Sequence, residues 1–267
     1  MSEMDNIIVK QGSSPLLLGF PHVGTYVPNN VKANLNSRGK ILSDTDWHLD
    51  KLYDGLIDDV TTVCAKFHRY VIDPNRDPSG VSLYPGQNTT ELVPLTDFDG
   101  DQIWNVLPTK TEIKKRVANF HSVYHKALEV ELTRLKNIHG YVILYDCHSI
   151  RSVIPNLFDG ILPVFNIGTN KGQSCDQEIE NKVNDICCQN TRFNSVLNGR
   201  FTGGWTTRNY GQPNNYIHAI QMELSQSVYL ENENVGWEYS ESKAANVRPI
   251  LKEILNTLAS IKPLVRR

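Results

Sequence analysis

The sequence predicts an α/β protein in which helices pack on a layered β-sheet. Short segments rich in Val, Ile, Leu and Tyr alternate with amphipathic segments, which is the order expected of strands and helices in such a fold. The chain has 267 residues, of which 40% are hydrophobic and 21% charged, an ordinary globular composition that excludes a disordered chain. Because no linker, repeat or low-complexity stretch interrupts it, we expect a single domain over residues 1–267.

Six segments are predicted as strands because each is short, apolar and followed by a turn former or a polar residue. They cover residues 16–20, 60–67, 69–72, 140–145, 162–167 and 217–222. Three longer segments are predicted as helices, at residues 110–138, 176–187 and 240–261. The first keeps apolar residues at three- and four-residue spacing and ends at Gly140, and the last contains Pro249, which should kink or restart it.

Charge and cysteine content narrow the possible partners and the compartment. Lys and Arg total 27 against 29 Asp and Glu, so no net charge favours nucleic acid or an anionic membrane as a partner. The first residues lack the basic-then-apolar order of a signal peptide, and no apolar run approaches the ~20 residues that cross a bilayer. The five cysteines show no Cys-x-x-Cys pair. We therefore expect a reduced, cytoplasmic protein, and its oligomeric state is left open.

Polar residues follow three of the predicted strands, and these positions could carry chemistry. His22 follows the first strand, Asp146, Cys147 and His148 follow the fourth, and Glu223 follows the last. A histidine at a strand end is held rigidly enough to bind a metal, and a neighbouring carboxylate such as Asp146 could fix its tautomer. A buried glutamate could act as a general base.

Each of these residues also has an ordinary interpretation. A single loop histidine commonly bonds to a backbone carbonyl, and a single glutamate at a strand end is commonly solvated. Cys147 and His148 suggest a thiol nucleophile, but neighbours on an extended segment point to opposite faces, so we expect Cys147 in the core.

Two further groups of residues could complete a site. The segment 43–53 opens a predicted helix that Asp44 or Thr45 could cap, although capping does not require Asp44, Asp46 and His48 together. Arginines stand beside Gly, Pro or other loop residues rather than along a helix surface, at Arg69, Arg76, Arg200 and Arg208. If several faced one pocket, they would indicate an anionic substrate. The polar segment 84–104 is predicted to be either a functional loop or poorly ordered, and its length and polarity suggest a lid.

His121 and His125 have the spacing of a helical zinc site, but Ser122 stands where such proteases carry their glutamate. We therefore expect this pair to have a packing or surface role. The sequence also lacks a Gly-x-Gly-x-x-Gly motif, a phosphate-binding loop and a Gly-x-Ser-x-Gly elbow.

Taken in chain order, the motifs resemble those of the N-formylglutamate amidohydrolases, also called N-formylglutamate deformylases. The resemblance runs from about residue 16 to residue 229 and rests on the segments 20–24, 44–47, 75–78, 146–149, 198–204 and 221–223. This family is related to the zinc carboxypeptidases and to the succinylglutamate desuccinylase and aspartoacylase group. The resemblance therefore implies a three-layer α/β/α fold with a mixed, mostly parallel sheet, like that of zinc carboxypeptidases and other phosphorylase/hydrolase-like proteins.

The resemblance also implies one Zn²⁺ per chain, held by His22, His148 and an acid from the segment 44–46. Thr25 stands where carboxypeptidases carry their glutamate ligand, three residues after the histidine, so the third ligand must come from elsewhere. We choose Asp46, with Asp44 and His48 as alternatives. The ligand types alone also allow iron or cobalt.

The implied reaction is the hydrolysis of N-formyl-L-glutamate to formate and L-glutamate, a last step in one route of histidine degradation. By position, Glu223 corresponds to the general base of carboxypeptidases, and Asn75 with Arg76 to their substrate-carboxylate pair. Arg69, Arg200 and Arg208 are then candidates for a second carboxylate or the oxyanion. The alternatives are a related deacylase or carboxypeptidase for another N-acyl amino acid, and a metal-free protein that binds an acidic metabolite.

Overall fold

A computed structural model describes residues 6–81 and 89–263. Within these residues, seven strands form one sheet in the order β1-β3-β2-β4-β7-β5-β6. The strands are β1 (Ile7–Lys10), β2 (Leu16–Phe20), β3 (Thr61–Ala65), β4 (Val142–Ile150), β5 (Phe165–Gly168), β6 (Ser195–Leu197) and β7 (Ile217–Ser225). The β1–β3 and β5–β7 pairs are antiparallel and the other four pairs are parallel. The predicted mixed, mostly parallel sheet is therefore confirmed.

The helices are α1 (Asn29–Lys32), α2 (Leu49–Tyr53), α3 (Lys110–Arg116), α4 (Ser122–His139), α5 (Gln177–Gln189), α6 (Trp205–Tyr210) and α7 (Glu241–Ser260). A π-helical turn at Val117–His121 joins α3 to α4, so the predicted helix 110–138 is continuous but widened at this point. Thr109 and Glu112 form a reciprocal capping box at its start, and Gly140 ends it with a φ of 79°. No helix among the described residues has the length and apolar character needed to cross a membrane.

Helices cover both faces of the sheet, which confirms the three-layer α/β/α prediction. On one face, Leu128 of α4 belongs to a core cluster with Leu144 of β4. On the other face, Val183 of α5 and Val247 of α7 belong to a cluster with Tyr145. Leu144 and Tyr145 enter opposite clusters because consecutive side chains of a strand point to opposite faces.

The two central strands extend farther than predicted. β4 ends at Ile150 instead of Tyr145, and β7 ends at Ser225 instead of Met222. Buried polar residues therefore continue both strands, and His148 pairs with Glu223 in the parallel register. The periodicity of apolar residues could not reveal this, because the chemistry-bearing side chains replace apolar ones within the strands.

Other differences concern marginal segments and one proline. The predicted strand 69–72 is wrong: these residues form a buried turn in which the amide of Val71 donates to the carbonyl of His68 (2.9 Å). A short apolar run is ambiguous because burial alone also explains it. The sequence did not predict β1, β6 and α6, which are only a few residues long. Pro249 lies inside α7, which continues through it without restarting.

Candidate functional site

His22, Asp46 and His148 form a buried cluster in which three donor atoms face one another. The Nδ1 atoms of the two histidines lie 3.2 Å apart. Asp46 Oδ2 lies 3.9 Å from Nδ1 of His22 and 3.7 Å from Nδ1 of His148. All three residues are at most 3% exposed.

A second carboxylate holds each imidazole from its far side. Nε2 of His22 lies 2.7 Å from Asp73 Oδ1, and Nε2 of His148 lies 3.1 Å from Asp146 Oδ2. A carboxylate partner places the ring proton on Nε2, which leaves Nδ1 as a lone-pair donor. When both rings are neutral, both Nδ1 atoms therefore present lone pairs toward the same point.

This arrangement fits a transition-metal ion. Two imidazole nitrogens and one carboxylate oxygen are a common catalytic ligand set, and their largest separation, 3.9 Å, is under twice the ~2.0–2.2 Å ligand distance of zinc. Two aligned lone pairs 3.2 Å apart in a dry site also repel each other unless a cation or a proton lies between them.

The fold brings the cluster together from three segments. His22 follows β2 and His148 lies on β4, and these neighbouring strands are parallel. Asp46 is tied to both, because its amide donates to the carbonyl of His22 (3.1 Å) and its Oδ2 accepts from the amide of Ser149 (3.0 Å). Two main-chain bonds therefore fix this acid beside the histidines.

Buried charges set the protonation of the cluster. Burial, together with the nearby Arg69 guanidinium, lowers the pKa of His22 to about 4, which keeps that ring neutral at pH 7. Burial disfavours ionisation of Asp46, but Arg69, whose Nη2 donates to Asp46 at 2.5 Å, outweighs it and holds the pKa below the usual value. Burial also opposes a charge on His148, but Asp146 and Asp46 raise its pKa well above the ordinary value.

The two alternatives for the third ligand lie outside this cluster. Oδ2 of Asp44 accepts from the Tyr70 hydroxyl (2.8 Å) and from the amide of Phe98 (3.0 Å). His48 packs its ring near Trp47 and Tyr239. The expected capping role is wrong, because α2 starts at Leu49 and neither Asp44 nor Thr45 caps it.

Glu223 lies next to the cluster on β7 and is 7% exposed. Burial raises the pKa of its carboxyl to about 7, against the opposing effect of His148. Nε2 of Gln221 donates to Glu223 Oε2 (3.2 Å), and its Oε1 accepts from the amide of Gly204 (2.7 Å). Gln221 therefore holds the glutamate in place and anchors the start of α6.

A cavity of about 70 Å³ joins these groups to three of the predicted arginines. Its lining includes His22, Arg69, Asn75, Arg76, Thr90, Phe98, His148, Leu157, Arg200, Gln221 and Glu223. Arg76 is held by Thr90, whose carbonyl accepts from Nε (2.8 Å) and whose hydroxyl accepts from Nη2 (2.9 Å). Nε of Arg200 donates to the carbonyl of Leu157 (2.9 Å).

The fourth predicted arginine, Arg208, does not line the cavity, whereas part of the predicted loop 84–104 does. Arg208 is not among the residues that line the cavity, and its side chain donates to the carbonyl of Gly203 and the hydroxyl of Thr202. Of the segment 84–104, residues 84–88 lie outside the described residues, and residues 89–104 contribute Thr89, Thr90 and Phe98 to the cavity. Its role as a lid stays a prediction.

Comparison with known proteins identifies the family. The sequence profile of the N-formylglutamate amidohydrolases matches residues 14–230. The chain belongs to this family. It is 42% identical over 259 residues to the N-formylglutamate deformylase of Pseudomonas putida, with 96% of each chain covered. It is 40% identical to the N-formylglutamate deformylase of Pseudomonas aeruginosa, covering 96% of this chain and 97% of that protein. The predictions of the family and of an amidohydrolase enzyme are confirmed.

Solved structures confirm the fold. The crystal structure of N-formylglutamate amidohydrolase from Ralstonia eutropha aligns with a TM-score of 0.79 at 21% identity, covering 95% of this chain and 97% of that chain. A gene product of Agrobacterium tumefaciens aligns with a TM-score of 0.71 at 16% identity, covering 96% of this chain and 95% of that chain.

The sequence reasoning missed two residues of the site. Asp73, which holds His22, lies just before the Asn75–Arg76 motif, and its position before a proline gave no sign that it is buried. Gln221 belonged to a recognised motif, but its bond to Glu223 becomes apparent only when residues two apart on one strand are seen on the same face.

Proposed function

We propose that this chain hydrolyses N-formyl-L-glutamate to formate and L-glutamate in a zinc-dependent reaction. The observation that carries the proposal is one small cavity lined by both histidines of the His-Asp-His cluster, a buried glutamate and several arginines. The 40–42% identical relatives named N-formylglutamate deformylase support the choice of substrate.

His22, Asp46 and His148 would hold the metal, oriented by Asp73, Asp146 and the main-chain bonds to Asp46. When bound, zinc supplies Lewis acidity, which lowers the pKa of a water toward ~7 and polarises the formyl carbonyl. The ligand set leaves room for water, since the described protein atoms supply three donors.

Glu223 acts as the general base and then as the general acid. Its carboxylate takes a proton from the attacking water, and the carboxylic acid so formed gives that proton to the departing amine nitrogen. A pKa near 7 suits both steps, because the group releases and accepts a proton with similar ease at neutral pH. Gln221 keeps the carboxylate directed into the cavity.

The arginines recognise the two carboxylates of the substrate. Arg76 and Arg200 both line the cavity. Arg76, beside Asn75, binds the α-carboxylate, and Arg200 binds the side-chain carboxylate. Nε of Arg69 is buried and has no hydrogen-bond partner among the described residues, while its Nη2 is bound to Asp46. Arg69 is therefore able to donate to the oxyanion that forms when water adds to the formyl group, and Arg208 supports the wall of the site from α6.

A comparison of acyl groups tests the proposal. One added methyl group in an acyl pocket typically changes specificity 10–200-fold. We expect kcat/KM to fall at least tenfold from N-formyl- to N-acetyl-L-glutamate and further for N-succinyl-L-glutamate. A preference for acetyl or succinyl would assign the chain to another deacylation. From the family resemblance we also propose a place in histidine degradation, in the cytoplasm.

A further inference from the structure

Two histidines that the proposed reaction does not use face the loop that carries Asp73, Asn75 and Arg76. His121 and His125 are 2% and 5% exposed. Nε2 of His121 lies 3.0 Å from the carbonyl oxygen of Arg76, and Nε2 of His125 lies 2.7 Å from that of Pro74. These two carbonyls flank Asn75.

The chemistry of these contacts fixes the tautomer of both rings. A carbonyl oxygen only accepts hydrogen bonds, so each Nε2 carries the proton and donates. Nδ1 of His125 then accepts from the hydroxyl of Tyr210 (3.0 Å). Both imidazoles are neutral donors, which agrees with the pKa values that burial lowers for both, to about 3 for His125.

The loop is held on its opposite side by the active site. Asn75 Oδ1 accepts from the amide of Thr206 (2.9 Å), and the Asn75 side chain lies against the His148 ring, with Nδ2 3.2 Å from Nε2. Asp73 contacts His22. The loop therefore lies between the histidine pair and the cluster and contacts both.

The π-helical turn and the Trp205 ring surround the pair and restrict its movement. His121 is the last residue of the π-helical turn, an irregularity that often accompanies function in long helices. The Trp205 ring packs against both imidazoles, with centroids 5.4 and 4.5 Å away. Trp205 starts α6, whose next residue, Thr206, bonds to Asn75.

We infer that His121 and His125 are positioning residues, which hold the backbone of residues 74–76 so that Asn75 and Arg76 meet the substrate carboxylate. In this interpretation their i, i+4 spacing serves to hold the loop and not to bind a second zinc ion. The kinetic part of this inference rests on the proposed function, whereas the holding of the loop does not.

The test compares His121→Leu with His121→Gln in the full chain. Glutamine places an amide N–H where Nε2 lies and keeps the bond to Arg76, whereas leucine keeps apolar bulk without a donor. The matched control is His139→Leu, which removes an imidazole-to-carbonyl bond to Ser13 near the end of α4, away from the cavity. Thermal unfolding of each variant reports any general loss of stability.

Two readouts decide the inference. Leucine at position 121 should raise hydrogen–deuterium exchange in the peptide covering residues 71–80 about tenfold, and should raise KM for N-formyl-L-glutamate about tenfold while kcat stays within threefold. Glutamine should restore both values, and the control should change neither. If leucine and glutamine behave alike in exchange and in KM, the inference is wrong. If the wild type releases no formate, the proposed function fails, and the exchange comparison alone then decides the inference.

Discussion

The Nδ1 atoms of His22 and His148 lie 3.2 Å apart, and each ring is held from behind by a buried aspartate. His148 lies on β4 and His22 follows the end of β2, the neighbouring parallel strand, so the sheet brings the two rings together. Asp73 and Asp146 determine which nitrogen carries a proton. The pair is therefore preorganised for the cation that we propose it shares with Asp46.

Removal of the aspartate behind His22 should weaken metal binding. In Asp73→Asn the amide is a poorer acceptor for the Nε2 proton, and such changes typically lower metal affinity 10–100-fold. Competition with a zinc-sensitive dye measures the affinity. Asp58→Asn, an exposed surface change, serves as the control. Unchanged zinc affinity in Asp73→Asn would show that Asp73 does not support a ligand.

Replacement of the general base should abolish turnover while the metal stays bound. Glu223→Gln keeps the shape of the side chain and its contact with Gln221, and removal of a general base typically costs 10²–10⁴-fold in rate. Stopped assays of formate release, with metal analysis of the same samples, measure both effects. Glu241→Gln, at an exposed position of α7, should retain full activity. Loss of zinc from Glu223→Gln would instead make this residue a ligand.

The two carboxylate sites should respond to different substrates. Arg76→Lys removes the planar guanidinium and should raise KM about tenfold for both N-formyl-L-glutamate and N-formyl-L-glutamine, which share the α-carboxylate. Arg200→Lys should affect only N-formyl-L-glutamate, because the glutamine compound lacks the second carboxylate. Steady-state kinetics on the two substrates separate the assignments, with Arg192→Lys as a surface control. The reverse pattern would exchange the two roles.

The buried His125 should make the fold sensitive to acid. Burial lowers its pKa from 6.5 to about 3, so between these values the unfolded chain binds a proton that the native protein does not. The contribution of His125 to the free energy of unfolding is therefore fully present above pH ~6.5. It falls as pH drops toward 3, by roughly 2 kcal/mol at pH 5.

Thermal unfolding at pH 7.5 and pH 5 checks this expectation. His125→Gln still donates to the Pro74 carbonyl but does not titrate, so the loss of Tm on acidification should be smaller than in the wild type. An equal loss in both proteins would show that other groups determine the acid sensitivity.

Much of the fold could be predicted from the sequence because burial imposes periodicity. β2 was predicted at its observed bounds, and the helix that contains α4 followed from the three- and four-residue spacing of its apolar residues. The edge strands β1 and β6 were not predicted although most of their residues are apolar, because four and three residues are too few to show a strand pattern. The buried turn at 69–72 shows the converse, because its residues are apolar for packing and not for pairing.

For the candidate site, motifs predicted which residues meet but not how they are supported. His22, Asp46 and His148 were expected together, and the structure places them in contact distance. Asp73 and the His121–His125 pair act through atoms that are remote in sequence, such as the Arg76 carbonyl oxygen. Because every residue has a main-chain carbonyl, the sequence does not show which of them accepts a side-chain hydrogen bond. Such contacts can be recognised only in the structure.

The most direct test of the account is formate release from N-formyl-L-glutamate before and after treatment with a chelator, followed by addition of zinc. We expect turnover to be lost with the chelator, to return with about one zinc per chain, and to remain absent in His22→Ala under the same conditions. Full activity in verified metal-free protein would contradict a metal-dependent reaction at the His22–Asp46–His148 cluster.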